Sequence, residues 1–196
     1  MPSESSADSS ADSGTDPRTT AGLVAGRVLD APPTLGTGRL VCIDGPAGSG
    51  KTTLAAAITD LAPHAHVVHC DELLEGWRGL PGLSGSVERL LDPLVVGEVG
   101  RWRRWDWVAD GWAEWHAVAP GGLVVLEGVG CWSPAIAHRV GVLVWVEAAP
   151  DLRLARGLAR DGEHMRPHWE QWRTDEEQLF ARLRTREHAD LVVTTG

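Results

Sequence analysis

The sequence is short of positive charge: 18 Lys and Arg residues stand against 27 Asp and Glu residues, and the net charge is −9. A generic nucleic-acid-binding protein needs a basic face that displaces counterions, so we expect no nucleic-acid partner. Cysteine is also scarce. Cys42, Cys70 and Cys131 follow no paired spacing, which favours buried free thiols in a reducing compartment. No charged-then-apolar segment opens the chain, and no apolar run approaches membrane-spanning length. We therefore expect a cytoplasmic protein with no membrane partner.

One stretch carries the strongest functional signal. The apolar residues 40–43 and then Asp44 lead into Gly45-x-x-x-x-Gly50-Lys51-Thr52, and a helical pattern follows at once. Glycines let the backbone approach a phosphate closely, and the loop N–H groups and the following helix N-terminus face the anion. Lys51 is the only lysine in the chain, at the position where a charge meets the β- and γ-phosphates. This P-loop predicts that the following residues bind a nucleoside triphosphate: Gly45, Pro46, Ala47, Gly48, Ser49, Gly50, Lys51, Thr52 and Thr53.

The chain contains no asparagine. This absence excludes the Asn-Lys-x-Asp motif with which GTPases recognise guanine. Nothing in the sequence resembles the signature of a transporter ATPase either. GTPases and transporter ATPases are therefore excluded, and the Thr52 hydroxyl is the expected magnesium ligand within the loop.

Apolar runs alternate with helical patterns along the chain, which predicts a parallel sheet covered on both faces. We expect an α/β three-layer sandwich of the P-loop NTPase type, with a five-stranded parallel sheet, formed by residues 19–196. Residues 1–18 are almost devoid of apolar side chains and are expected to be a disordered acidic tail. The predicted strands are residues 39–44, 66–70, 123–128, 140–146 and 191–194.

Several further expectations concern the helices and connections. A first helix is expected over residues 20–29, and a long one after the loop at residues 162–167. Pro93 is expected to bend or break a helix around residues 87–94. Residues 101–118 are rich in tryptophan and are expected to be helical in their second half, and Ser133-Pro134 reads as the start of a short helix.

Two carboxylates are candidates for the chemistry. Asp71 follows the second predicted strand, and ligands collect at the carboxyl ends of strands in an open parallel sheet. We assign Asp71 as the base that accepts the proton of an attacking hydroxyl, and we expect its strand to neighbour that of the loop. The alternatives are a helix cap at Asp71 or Glu72 as the base. Glu127 ends a buried strand and is expected to support Mg²⁺, with a structural hydrogen bond as the alternative.

A lid is predicted over residues 156–168, where three arginines surround a glycine. Phosphoryl transfer needs mobile positive charge, and Arg156 and Arg160, four residues apart, share a helix face. The alternative is a solvated basic helix end. The histidines near Asp71 could also indicate a zinc site. This interpretation is disfavoured, because His66 and His69 point to opposite faces of a strand.

The tryptophans of residues 101–118 either line an acceptor pocket or pack the core. Neighbouring arginines 101, 103 and 104 either bind an acceptor phosphate or are solvated. The predicted magnesium ligands are Thr52, Asp71 and Glu127, and the predicted catalytic residues are Lys51, Asp71, Arg156 and Arg160. The predicted substrate-binding residues are Asp71, Glu72, Trp77, Arg104, Trp105, Trp107, Glu127 and Arg166.

Taken together, several stretches resemble the uridine kinase-like group of P-loop kinases. These stretches are residues 43–53, Cys70-Asp71-Glu72-Leu73, Trp105-Asp106-Trp107, Glu127-Gly128, the lid-like Arg156-x-x-x-Arg160-Asp161 and Ala189 to Val193. The resemblance implies a parallel sheet, Mg·ATP as donor and transfer to a small hydroxyl compound. Asp110 and Trp112 stand where the family has the His and Arg that grip uridine, so the resemblance covers the transfer machinery and not the acceptor.

Three functions remain open on the sequence alone. The leading one is a kinase acting on a small-molecule hydroxyl, as a monomer or a homodimer. A nucleoside monophosphate kinase would use Arg78, Arg103 or Arg104 to bind the acceptor phosphate. A regulatory or assembly module would bind ATP without turning it over.

Overall fold

The computed structural model describes residues 16–196, so the expected tail lies, apart from its last three residues, outside the described part. The helices are α1 (Pro17–Asp30), α2 (Lys51–Leu61), α3 (Leu83–Val95), α4 (Pro150–Asp161), α5 (Arg166–Leu183) and α6 (Thr185–His188). The strands are β1 (Arg39–Asp44), β2 (His66–His69), β3 (Gly100–Asp106), β4 (Gly111–Val118), β5 (Leu123–Glu127), β6 (Val142–Glu147) and β7 (Leu191–Thr194).

Five strands form one parallel sheet in the order β2-β5-β1-β6-β7. The central strand β1 pairs with β5 through Val41 and Val125, and with β6 through Val41 and Val142. Such strands are buried on both faces and so consist almost wholly of apolar residues. The predicted fold class, a five-stranded parallel sheet within an α/β sandwich, is confirmed.

Helices cover both faces of this sheet. On one face, α1 and α2 pack against strand residues such as Val41 and Ile43, with Val24 and Ile58 fully buried. On the other face, α3 and α5 pack against Leu40 and neighbouring residues. Because the strand side chains alternate between the two faces, β1 contributes to both cores. The two cores fix the carboxyl ends of the strands, where the site lies.

Residues 100–118 form an antiparallel hairpin of β3 and β4, so the expectation of a helix in their second half is wrong. Trp102 is buried while Arg103 is exposed, which is the alternation of a strand with one covered face. The carboxylate of Asp106 accepts hydrogen bonds from the backbone N–H groups of Val108 and Ala109 and shapes the turn.

Three smaller expectations also need correction. Helix α3 is not broken at Pro93, because this residue lies in the last turn and the helix ends two residues later. No helix begins at Ser133-Pro134; the Ser133 hydroxyl instead contacts that of Ser84 at 3.0 Å, and a single 3-10 turn follows at Ala137–Arg139. The first helix begins at Pro17, three residues earlier than predicted, with Asp16 as its cap.

The three cysteines are free and buried, as the sequence predicted. Among residues 16–196, no helix is long and apolar enough to span a membrane.

Candidate functional site

The glycine-rich loop lies between β1 and α2, and its backbone requires the glycines found there. Gly45 has a φ of 141° and Gly48 a φ of 75°. A Cβ atom at Gly45 would collide with the carbonyl group of Val146, and one at Gly48 with the backbone of Arg153. Two of the predicted glycines are therefore needed both for their backbone angles and for the close approach of neighbouring chain segments.

The Asp44 carboxylate anchors the start of this loop. Its Oδ1 accepts hydrogen bonds from the backbone N–H groups of Gly45 at 2.7 Å and Gly130 at 2.8 Å, and its Oδ2 accepts one from Trp132 at 3.1 Å. The side chain is fully buried, and burial raises the pKa of Asp44 well above its ordinary value. Asp44 thus ties the loop to the segment that follows β5, a role that the sequence reasoning did not assign.

Lys51 begins α2 and folds back over the loop. Its Nζ atom donates a hydrogen bond to the Pro46 carbonyl oxygen at 2.9 Å, and the side chain is largely buried. The charge is thereby held against the loop, and a cation beside the loop N–H groups suits a phosphate tail.

Beside the loop lies a cleft of about 1060 Å³ at the carboxyl edge of the sheet. It gathers most of the predicted site residues. Those that line it are Ala47, Gly48, Gly50, Lys51, Thr52, Thr53, Asp71, Trp77, Trp107, Glu127, Arg156 and Arg160.

Thr52 and Glu127 are in direct contact within the cleft. The Thr52 hydroxyl donates to Oε1 of Glu127 at 3.1 Å, and Nδ1 of His69 lies 2.6 Å from the same oxygen. The hydrogen bond to Glu127 raises the pKa of His69 above its ordinary value. His69 was not predicted as part of the site, although it ends β2 opposite Glu127 in the strand register.

These donors fit a magnesium ion bound together with phosphates. Within the described residues, no three His, Cys, Asp or Glu side chains converge as they would around a metal held by protein alone. Mg²⁺ is instead held in such sites by one or two protein oxygens together with water and substrate phosphates. Thr52 and Glu127 supply oxygen ligands of that kind.

Asp71 lies in a 3-10 turn directly after β2. Strand β5 separates β2 from β1, so the expectation that the Asp71 strand neighbours the loop strand is wrong. The side chain still lines the cleft and is exposed to solvent there. The walls of the cleft nevertheless place many protein atoms around it. This desolvation, and then the nearby Glu127 charge, raise the pKa of Asp71 above its ordinary value. In the described part of the chain, its carboxylate has no side-chain hydrogen-bond partner and is open to a ligand.

The two predicted arginines differ in their engagement. Arg156 donates to the Gly48 carbonyl oxygen at 3.3 Å, to the Thr195 hydroxyl at 3.0 Å and to the Gly196 carbonyl oxygen at 2.7 Å. It therefore ties the loop to the end of the described chain. Arg160 pairs with Asp161 at 2.7 Å, and its side chain is mostly exposed at the mouth of the cleft.

Several predicted site residues do not line the cleft. Glu72 accepts a hydrogen bond from the Trp102 indole at 2.9 Å. Arg104 pairs with Glu114 and Asp106 on the hairpin, and Arg166 pairs with Glu163 on the surface. Trp105 packs edge-on against Trp112. Of the loop, Gly45, Pro46 and Ser49 are not among the residues that line the cleft.

A buried ion pair behind the loop was missed. Oε1 of Glu176 on α5 accepts a hydrogen bond from Arg153 on α4 at 2.7 Å, and its Oε2 accepts one from the Ala47 backbone N–H at 2.8 Å. Both side chains are almost fully buried. The sequence did contain a signal for this pair. Glu176 lies on the same face of α5 as the buried residues Trp172 and Leu179, and a buried acid usually has a partner.

Two further tryptophans, Trp169 and Trp172 on α5, line the cleft without having been predicted there. Trp169 packs so closely on α4 that a Cβ atom at Gly157 would collide with its ring. Its indole N–H donates to Asp161 at 3.0 Å, which holds the ring in place.

Comparisons with known proteins bear on the fold. No protein-family model and no curated protein matches the sequence. A solved structure of a candidate uridine kinase from Bacillus stearothermophilus is similar with a TM-score of 0.62 and 18% identity, over 91% of this chain and 100% of the other. A candidate fructose transport system kinase from Silicibacter sp. TM1040 is similar with a TM-score of 0.61 and 20% identity, over 91% and 99%. The chain therefore shares the fold of these two structures, an α/β fold of the P-loop type, as its motifs predicted.

Proposed function

We propose that the protein is an ATP-dependent kinase that transfers the γ-phosphoryl group of Mg·ATP to a hydroxyl group of a small molecule. One observation carries the proposal: a single cleft contains Lys51 and the glycine loop, the Thr52–Glu127 pair and an accessible Asp71. A phosphate cradle, magnesium ligands and a carboxylate base are the parts that phosphoryl transfer requires.

The reaction follows from this arrangement. The loop N–H groups and Lys51 hold the β- and γ-phosphates, so the terminal phosphorus faces the Asp71 side of the cleft. The acceptor oxygen attacks this phosphorus; a new O–P bond forms, the bond to the β-phosphate oxygen breaks, and ADP leaves. The hydroxyl proton passes to the Asp71 carboxylate. The raised pKa of Asp71 suits this step, because a base whose pKa is closer to the operating pH accepts a proton more readily.

Positive charge around the transferring group completes the site. Mg²⁺, when bound at Thr52 and Glu127, neutralises charge that develops on the phosphate oxygens. Arg160 at the mouth of the cleft can reach the same region. Arg156 keeps the loop in its binding conformation through its contacts with Gly48 and Thr195.

The alternative of a nucleoside monophosphate kinase is less well supported. An acceptor phosphate needs an unpaired cation nearby. Arg104 is engaged by Glu114 and Asp106, and Arg103 donates to the carbonyl oxygens of Ala113 and Trp112. Neither these arginines nor Arg78 lines the cleft. A hydroxyl acceptor without a phosphate group fits better.

The test is a measurement of ADP release with Mg·ATP over a panel of nucleosides, nucleoside monophosphates, sugars and other alcohols. The proposal predicts acceptor-dependent turnover with an unphosphorylated alcohol. It also predicts that Asp71→Asn retains Mg·ATP binding but loses that turnover. Tight ATP binding without turnover for any acceptor would favour the regulatory module, and faster turnover of monophosphates would favour the other kinase class.

A further inference from the structure

We propose that the acceptor of this kinase is an uncharged alcohol whose body is an apolar or aromatic ring system. Nucleosides, sugars and compounds with phosphate or carboxylate groups are excluded by this proposal. The inference rests on the proposed phosphotransfer and concerns the part of the cleft beyond Asp71.

The lining of the cleft comes from the two cores on either face of the sheet, and we call these two parts its arms. Leu54, Val146 and Val193, which belong to the core under α1 and α2, line one arm. Leu74, Val129 and Trp172, which belong to the other core, line the second arm. Asp71 belongs to the second arm, because its carbonyl oxygen accepts a hydrogen bond from Trp107, whose ring lies beside that of Trp77. Because the γ-phosphate must face Asp71, the nucleoside part of the donor extends into the first arm. The acceptor therefore occupies the second arm.

Tryptophan rings dominate the acceptor arm. The Trp77 ring lies 5.4 Å from that of Trp107 and 5.8 Å from that of Trp172, centre to centre, with interplanar angles of 74° and 81°. Trp169 lies one helical turn before Trp172 on α5 and also lines the cleft. Leu74, Val129 and Met165 line the same cleft and add further apolar surface. These four tryptophans, Trp77, Trp107, Trp169 and Trp172, form what we call the tryptophan wall.

Two polar groups of this arm are already engaged. The Trp107 indole N–H donates to the Asp71 carbonyl oxygen at 3.2 Å, and the Trp169 N–H donates to Asp161. Asp161 also binds Arg160 at 2.7 Å. A nucleobase or sugar that entered here would lose its hydrogen bonds to water and find few replacements, which is costly for each buried polar group.

The charges exclude an anionic acceptor. Of the three cations that line the cleft, Lys51 and Arg156 are bound to the phosphate loop, and Arg160 is paired with Asp161. Asp71 and Glu127 are negative and face the same space. A carboxylate or phosphate on the acceptor would therefore meet like charge, and each of these cations already has a partner within the protein. An apolar ring gains from stacking on the tryptophan wall instead.

The experiment compares acceptors of matched shape. The panel contains 2-(2-naphthyl)ethanol, its ring-carboxylated analogue, uridine, cytidine and glucose, with ADP release measured under saturating Mg·ATP. We expect the naphthyl alcohol to give the highest kcat/KM, and ring carboxylation to lower this ratio at least about tenfold. Faster turnover of uridine, cytidine or glucose, or equal turnover of the carboxylated analogue, overturns the proposal.

Variants test the tryptophan wall directly. Trp77→Leu and Trp107→Leu should each raise the KM for the naphthyl alcohol about tenfold, with the Kd for Mg·ATP unchanged. Trp107 is the safer variant for folding because its side chain is 38% exposed. Trp115→Leu is the matched control, since Trp115 is 68% exposed on the hairpin outside the cleft, and it should change neither constant.

The outcomes separate the two proposals. An unchanged KM in both wall variants overturns the acceptor class while the kinase function stands. Absence of Mg·ATP binding, or binding without turnover of any acceptor, overturns the kinase function itself.

Discussion

The buried pair of Arg153 and Glu176 connects the glycine-rich loop to α4 and α5. Burial raises the pKa of Glu176 above its ordinary value, although Arg153 and the Ala47 N–H act in the opposite direction. The raised pKa indicates that the free-energy cost of desolvating this carboxylate exceeds the stabilisation that its two partners provide. The pair is therefore expected to orient the loop rather than to stabilise the fold.

This interpretation predicts the free energies of unfolding of three variants. Glu176→Leu leaves the Arg153 charge buried without a partner, and Arg153→Met does the same to Glu176. Each should cost about 3–5 kcal/mol. The double variant removes both charges, which is often nearly neutral, and leaves the Ala47 N–H without an acceptor, at about 1–3 kcal/mol. The double variant should therefore be more stable than either single variant.

Urea unfolding followed by tryptophan fluorescence measures these stabilities, and calorimetry measures the affinity for Mg·ATP. We expect the double variant to recover stability but to keep a weakened affinity, because the link from α5 to Ala47 is still missing. Glu177→Leu, an exposed acid on the same helix, is the control and should change neither quantity. A double variant as unstable as the sum of the two single variants would refute the reasoning, and so would one with native affinity for Mg·ATP.

Three further predictions concern the site and its supports. Lys51→Ala should weaken Mg·ATP binding about 10- to 100-fold by calorimetry, because a charge-assisted contact with phosphate is lost; unchanged binding would contradict the assignment. Asp71→Asn should lower kcat about 10²- to 10⁴-fold. The pKa of Asp71 is raised in the folded protein, so Asp71 becomes protonated at a pH above the ordinary carboxylate pKa of about 3.9. As the pH is lowered, the activity of the wild type should therefore already decline above that value, and Asp71→Asn should not show this decline. Gly157→Ala should destabilise the protein by about 1–3 kcal/mol in thermal unfolding through its collision with Trp169, whereas Gly22→Ala, in open space on α1, should stabilise it by about 0.5–1 kcal/mol.

The sheet and the loop could be predicted because their signals are local. The apolar run of β1, the glycines and Lys51 lie within a few residues of one another, and each obeys a short-range rule of backbone geometry or burial. The position of Asp71 at a strand end follows from the same rules. Its distance from the loop does not, because strand order depends on how β5 inserts between β2 and β1.

The hairpin was mispredicted for a different reason. Trp112 and Trp115 are three residues apart and so imitate helical spacing, whereas β4 is a strand stabilised by its pairing with β3. In the register, Trp105 lies opposite Trp112 and Arg103 opposite Trp115. These cross-strand pairs decide the structure, and a helix period cannot reveal them.

The ion pair behind the loop was beyond local reasoning. Ala47 and Glu176 are 129 residues apart in the chain, and only the packing of α5 on the sheet brings them together. The same packing places Trp169 and Trp172 in the cleft. The lining of the cleft beyond the loop therefore depends on tertiary contacts, whereas the glycine-rich loop is encoded in one segment.

The most direct test of the account is a crystal structure with Mg²⁺ and a non-hydrolysable ATP analogue. The account predicts the triphosphate on the loop beneath Lys51, with the terminal phosphorus facing the Asp71 carboxylate and room for one hydroxyl oxygen about 3–3.5 Å from the phosphorus. A triphosphate bound elsewhere, or one whose terminal phosphorus points away from Asp71, would contradict it.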